Sequence, residues 1–258
     1  MSAATRPNPW LPPLARSGPP PEADVALVCL PSAAGSAQQF RPWRTAFPEH
    51  VSVRPVELPG HGRRMLEPPI DDLRALAVGA AEAVREQIGG QLVLFGHSFG
   101  ALLAFEVAQE LQGQGRPVAR LIVAAFPAPD RIGARLDPAG IPDEALIRFL
   151  PDEVATVLAN HELRSAVLGG LRADLAAIAG YRHQPGRPLT CTITAYTGTR
   201  DDIAPDDIEA WGRHTAAGFS SHEVEGDHFF LRSEGFLRHL AAEVDQLTLG
   251  KTDRPAAE

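Results

Sequence analysis

Short runs of aliphatic and β-branched residues alternate along this chain with longer stretches whose apolar positions recur at helical spacing. The short runs fall at residues 24–30, 50–56, 91–96, 120–125, 189–196 and 220–224. Most are continuously apolar, which predicts strands buried on both faces rather than strands with one wet face. Helical spacing covers 71–87, 99–112, 204–217 and 230–247. Strand followed by helix, repeated, predicts an α/β fold, a mostly parallel sheet flanked by helices. Residues 142–181 break the rhythm between the fourth and fifth strands and read as about three short helices. The whole excursion, about 130–181, is expected to be a helical lid insertion over the carboxyl ends of the strands, where open α/β sheets place their ligands. Its apolar positions, including Leu146, Leu150, Val154, Val157, Leu158, Leu168 and Leu171, read mainly as packing, with a few lining a pocket.

The ends differ from the body. Residues 1–22 carry seven prolines, which remove amide donors and block regular structure, so they are expected to form an arm pinned by Trp10, Leu11 and Leu14. Residues 249–258 form a polar tail, leaving 23–248 as the α/β domain. With 44% apolar residues in 258, the chain has ample material for a core. Its net charge of -8 argues against nucleic-acid binding, which needs a basic face. No apolar stretch reaches the length of a membrane span and no signal-peptide pattern is present, so a cytoplasmic protein is expected. Cys29 and Cys191 lie in separate apolar runs and read as small buried hydrophobes, not as a disulfide or metal ligands.

One pentapeptide changes the picture. Gly96-His97-Ser98-Phe99-Gly100 follows an apolar run directly and opens a helical one. That is the context of a nucleophile elbow, G-x-S-x-G on a strand-to-helix turn. Such a turn forces the serine into an unfavourable φ/ψ region, and glycine two residues either side removes the collisions. The hydroxyl then stands at a helix N-terminus, where amides and dipole favour an oxyanion.

A serine nucleophile needs a base and an orienting acid. Of nine histidines, His228 lies in a loop between the last strand and the last helix, at the sheet edge that carries Ser98. His97 reads as a packing residue, His222 as a partly buried strand residue, and His50, His161, His183, His214 and His239 as surface residues. Asp201 and Asp202 follow the fifth strand. One is expected to orient the imidazole, with Asp201 preferred, while the other caps the next helix. Ser98, Asp201, His228 is the chain order of α/β-hydrolases.

Six segments together carry a more specific resemblance: CLPSAAGSAQQFRPW at 29–43, VELPGHGRRMLEPP at 56–69, FGHSFGALLAFEVAQEL at 95–111, LRADLAAIAGYRH at 171–183, TGTRDD at 197–202 and GDHFFL at 226–231. Residues 24–247 resemble the stand-alone, type II thioesterases that accompany polyketide and non-ribosomal peptide synthetases. The resemblance implies an α/β-hydrolase fold and hydrolysis of acyl groups from the phosphopantetheine arm of acyl or peptidyl carrier proteins, clearing stalled or aberrant units. It implies no resident cofactor or metal, since the substrate brings the pantetheine. A monomer acting without nucleic acid or membrane is expected. Ser98, Asp201 and His228 match the family's triad. Family members usually carry P-x-A-G-G where this chain has Pro31-Ser32-Ala33-Ala34-Gly35. The oxyanion hole needs two backbone amides. Phe99 supplies one and the 32–35 loop the other, with Ala33 preferred and Ala34 next. The alternative activity on this fold is carboxylester or lipase-like hydrolysis, because fold and triad do not choose the leaving group. Docking of an acidic carrier is expected at basic loop residues, among them Arg63, Arg64, Arg131 and Arg135.

Overall fold

The computed structural model describes residues 8–13, 23–133, 138–150 and 158–249. Six strands form one sheet: β1 (Val25–Leu30), β2 (Val51–Pro55), β3 (Gln91–His97), β4 (Arg120–Ala124), β5 (Thr192–Gly198) and β6 (Phe219–Val224). The order is β2-β1-β3-β4-β5-β6, and every neighbouring pair is parallel. All strands therefore end on one edge, and the loops after β1, β3, β5 and β6 meet there. That edge positions the site.

The central strands β1 and β3 are buried along almost their whole length, as their unbroken apolar runs require. β6 departs from that expectation. It is an edge strand whose residues 220–223 are exposed, including His222, which the sequence places partly inside. Two layers cover the sheet. On one face lie α1 (Leu73–Gln87) and α2 (Phe99–Gly113); Ala101, Ala104 and Ala108 are fully buried and let α2 approach closely. On the other lie the 3₁₀ segment Ala37–Thr45 and the C-terminal helix, with Phe40, Trp43, Phe95 and Phe236 packed ring against ring.

The insertion after β4 begins with short turns and α3 (Asp143–Leu146), then runs into one 20-residue helix, α4 (His161–Gly180). The expectation of about three short helices is corrected in that respect. The Asn160 side chain accepts from the Glu162 and Leu163 amides and starts α4 cleanly. Val154 and Val157 lie outside the described residues. Two other expected helices are subdivided. Residues 204–217 hold α5 (Pro205–Glu209) and a 3₁₀ turn, Ala210–His214. Residues 230–247 hold a 3₁₀ turn, Phe230–Arg232, and then α6 (Glu234–Leu249). The break falls at Ser233, whose hydroxyl accepts from the Phe236 amide.

Of the N-terminal arm, residues 8–13 are described. Trp10 accepts from the Glu57 amide through its carbonyl and lies against Gly79 of α1, while Leu11 is buried. Leu14 and the tail beyond residue 249 lie outside the described residues. Both cysteines are buried free thiols, and burial pushes the Cys29 thiol well up. Among the described residues no helix is long and apolar enough to cross a membrane.

Candidate active site

Ser98 sits between β3 and α2 with φ 54° and ψ -123°, the strained backbone expected of an elbow. The glycines explain themselves by distance. A Cβ on Gly96 would lie 2.1 Å from the Gly100 carbonyl oxygen. One on Gly100 would lie 2.2 Å from the Leu30 oxygen and 2.5 Å from the Pro31 oxygen. The second contact matters most, because it lets the elbow press against the loop after β1.

The three residues expected from sequence come together. Ser98 Oγ is 3.0 Å from His228 Nε2, and His228 Nδ1 is 3.1 and 3.2 Å from the two Asp201 oxygens. The carboxylate fixes the tautomer, with Nδ1–H donating to Asp201 and Nε2 open to accept the serine proton. Asp201 is nearly buried, its side chain 8% exposed, whereas Asp202 is exposed. Asp227, beside the histidine, accepts from the Phe229 amide and shapes the turn. The acid and base loops are laced together: the Thr199 amide donates to the Val224 carbonyl and the Arg200 amide to the Gly226 carbonyl.

His97 has more than the packing role the sequence suggests. Its Nε2–H donates to the His228 carbonyl at 2.8 Å, and its Nδ1 accepts from Gln39 Nε2 at 3.2 Å. Burial, with repulsion from His228 whenever that ring is protonated, pushes its pKa down to about 3, so the His97 ring is neutral near neutral pH. Gln39 Oε1 in turn accepts from the Ser32 amide and hydroxyl at 3.4 and 3.3 Å. A single chain of hydrogen bonds thus joins the loop after β1 to the loop carrying His228. Gln39 belongs to no catalytic motif in the sequence, although it lies in the 29–43 segment that carries the resemblance.

The loop after β1 treats the two alanines differently. The Gly35 amide donates to the Ser32 carbonyl, closing a turn in which Ala34 has φ 56°. The Ala34 amide donates to Asp174 Oδ2 at 2.8 Å. Among the described residues no acceptor takes the Ala33 amide, nor that of Phe99 at the first position of α2. Both amides are therefore available to donate to a ligand oxygen.

Two buried carboxylates anchor this loop and the backbone next to it. Glu57, fully buried, accepts from the Ala37 and Arg63 amides. Asp174 Oδ2 also faces His61 Nε2 at 2.9 Å, while His61 Nδ1 faces the Pro59 carbonyl at 2.9 Å. Both ring nitrogens of His61 meet acceptors, so the fully bonded ring is the imidazolium. Burial alone lowers its pKa; the charge and hydrogen bond of Asp174, the Pro59 carbonyl and Glu57 reverse that, and the net shift is upward. His61, Glu57 and Asp174 belong to no catalytic motif in the sequence, although each lies in a segment that carries the resemblance.

Ala34 occupies a left-handed conformation that glycine adopts freely. The strain costs about 1–2 kcal/mol. Ala34→Gly relieves it, but frees the unfolded chain by about 0.4–1 kcal/mol and removes a methyl group worth about 0.8 kcal/mol when buried. These effects nearly cancel. The expected result is an unfolding free energy within about 1 kcal/mol of the parent in urea titration, with unchanged hydrolysis.

Other expected positions need adjustment. His214 is buried and paired with Asp130 at 2.9 Å, not at the surface. Arg64 is committed to the scaffold: its guanidinium lies 4.8 Å from the Trp10 ring, pairs with Glu67 and donates to the Glu57 carbonyl. Arg63 and Arg131 are exposed, and Arg135 lies outside the described residues.

A family model for the thioesterase domain matches residues 25–244. Thioesterase PikA5 of Streptomyces venezuelae is 36% identical over 228 residues, 85% of this chain and 80% of that protein. Linear gramicidin dehydrogenase LgrE of Brevibacillus parabrevis is 35% identical over 221 residues, 83% of this chain and 84% of its own length. Among solved structures, the type II thioesterase BorB from the borrelidin biosynthetic cluster superposes with a TM-score of 0.80 at 33% identity, covering 95% of this chain and 98% of that one.

Proposed function

The chain belongs to the thioesterase family, and we propose that it frees acyl groups from the phosphopantetheine thiol of carrier proteins, with Ser98 as nucleophile, His228 as base and Asp201 as the orienting acid. The observation that carries this reading is the continuous Ser98–His228–Asp201 hydrogen-bond chain on a strained elbow. Ser98 Oγ attacks the thioester carbonyl carbon as His228 Nε2 takes its proton. The tetrahedral oxyanion rests on the Phe99 and Ala33 amides. On collapse the C–S bond breaks, and His228 returns the proton to the leaving thiolate. A water then attacks the acyl-serine, giving its proton to His228, and the acid leaves as Ser98 regains its hydrogen. No resident metal or cofactor is required. The acyl chain is expected to run toward the insertion, whose cluster of Leu146, Leu150, Leu168 and Leu171 packs against Ala33 and Ala34. The carrier approaches past exposed Arg63 and Arg131, and the enzyme acts as a cytoplasmic monomer.

The name of the gramicidin relative raises hydride transfer on the same fold. A dinucleotide site needs a Gly-x-Gly-x-x-Gly turn whose amides face a pyrophosphate. Here the turn after β1 is Pro31-Ser32-Ala33-Ala34-Gly35, and Asp174 occupies the Ala34 amide. An oxygen-ester specificity is separated by direct competition. Hydrolysis of an acyl-carrier protein is expected to exceed that of the matched oxygen ester at least tenfold in kcat/KM. Equal rates, or a faster oxygen ester, would replace the carrier reading with an esterase.

A further inference from the structure

The helix α4 carries a charge where packing alone asks for none. Leu168 and Leu171 already dock it through apolar contact. Gly170 brings the helix backbone close to the 60–61 loop; a Cβ there would sit 3.0 Å from His61 Nε2 and 3.1 Å from the Gly60 oxygen. One turn further on, Asp174 lies on the same helical face. Its carboxylate is 1% exposed, and Oδ1 finds no protein partner among the described residues. Burying a half-satisfied carboxylate is costly, so its presence calls for a compensating gain. The gain visible in the geometry is orientation. Oδ2 receives the Ala34 amide and the His61 ring together, and His61 is itself anchored on the Pro59 carbonyl.

We infer that Asp174 is a positioning residue for hydrolysis: by holding the Ala34 amide, it fixes the turn whose Ala33 amide receives the oxyanion, and so makes the helical insertion a structural part of the oxyanion hole. The turn has four amides. Ser32 donates to Gln39, Gly35 to Ser32 and Ala34 to Asp174, which leaves only Ala33 without an acceptor among the described residues. Without Asp174 the Ala34 amide loses its acceptor, and the peptide planes on either side are free to rotate. Rotation would turn the Ala33 donor from the reacting carbonyl without disturbing Ser98, which is set by the elbow. His61 serves the same end by clamping Asp174 Oδ2 from the other side.

This inference rests on the reading of Ser98 and the oxyanion amides given above, and the experiment keeps the two apart. Steady-state hydrolysis of an acyl-N-acetylcysteamine thioester is measured for the parent, Asp174→Asn and Asp174→Ala. Each is also titrated with a matched trifluoromethyl ketone, whose adduct with Ser98 places an oxyanion in the hole. Loss of an oxyanion donor outright costs about 100- to 1000-fold, so its misplacement in Asp174→Ala is expected to lower kcat about 30- to 100-fold. KM should stay within about twofold, and the ketone Ki should rise by the factor by which kcat/KM falls. Asp174→Asn, whose oxygen can still accept from Ala34, should retain more activity than alanine. A folded Asp174→Ala within about threefold of the parent kcat overturns the inference, as does a loss confined to KM or an unchanged Ki beside a fallen kcat. Should the alanine variant not fold, Asp174→Leu, similar in size but without an acceptor for the Ala34 amide, decides by the same criteria. Failure of the underlying reading looks different: the parent would not cleave the thioester, or Ser98→Ala would.

Discussion

Ser98→Ala is expected to lower kcat/KM for an acyl-pantetheine thioester by at least about 10⁴-fold while the thermal unfolding transition stays within a few degrees of the parent. Removal of a triad member erases the covalent route and leaves only binding and the oxyanion amides. In barrier terms the loss is about 5 kcal/mol or more. Stability should hold because the strain at residue 98, with φ 54°, belongs to the backbone and alanine tolerates it as serine does. The hydroxyl has one contact among the described hydrogen bonds, His228 Nε2. The Ser98 amide, which donates to the Ala124 carbonyl, is untouched by the substitution. A variant retaining more than about a hundredth of parental turnover would remove Ser98 from the nucleophile role.

The parts of this site that are legible in sequence are those built by local rules. The elbow announces itself because its strain demands small residues at 96 and 100 within one short segment. His228 and Asp201 are legible because parallel strands all end on one edge, so a histidine after β6 and an aspartate after β5 must approach a serine after β3. The long-range partners are not legible in that way. Asp174 meets Ala34 across 140 positions, His61 meets Asp174 across 113, and Gln39 meets His97 across 58. Nothing in a polar residue on an amphipathic helix tells whether it faces solvent or a buried amide; only the docking of α4 onto the loop after β1 decides. His97 illustrates the point from the other side. Its burial is foreseeable from an apolar strand, but the carbonyl it holds belongs to a residue 131 positions away. Departures in the secondary structure have local causes that periodicity averages over, such as the Ser233 cap before α6 and the Asn160 cap that starts α4. Arg64 fails as a surface charge for a related reason: Trp10, from the proline-rich arm, folds back over it.

Adjacent aspartates give the second large effect and the sharpest contrast. Asp201→Asn is expected to reduce kcat by about 10³- to 10⁴-fold, and Asp202→Asn by less than about threefold. Both Asp201 oxygens lie within reach of His228 Nδ1, so the carboxylate holds the ring with its proton on Nδ1 and the lone pair of Nε2 toward Ser98. An asparagine amide turned toward the ring donates to Nδ1 and stabilises the other tautomer, with the proton on Nε2. That proton would point at the serine hydroxyl, and the base would be unable to accept. The imidazolium formed during acylation would also lose its counter-charge in a nearly buried position. Asp202 shares the sequence neighbourhood but not the geometry: it is exposed, and no hydrogen bond to His228 involves it. Because the Thr199 and Arg200 amides tie the acid loop to the base loop through backbone bonds, neither substitution should displace His228. Near-ultraviolet circular dichroism of both variants should match the parent, so that the kinetic difference reports tautomer and charge alone. The opposite ranking, with Asp202→Asn the slower enzyme, would move the orienting acid one residue along the chain.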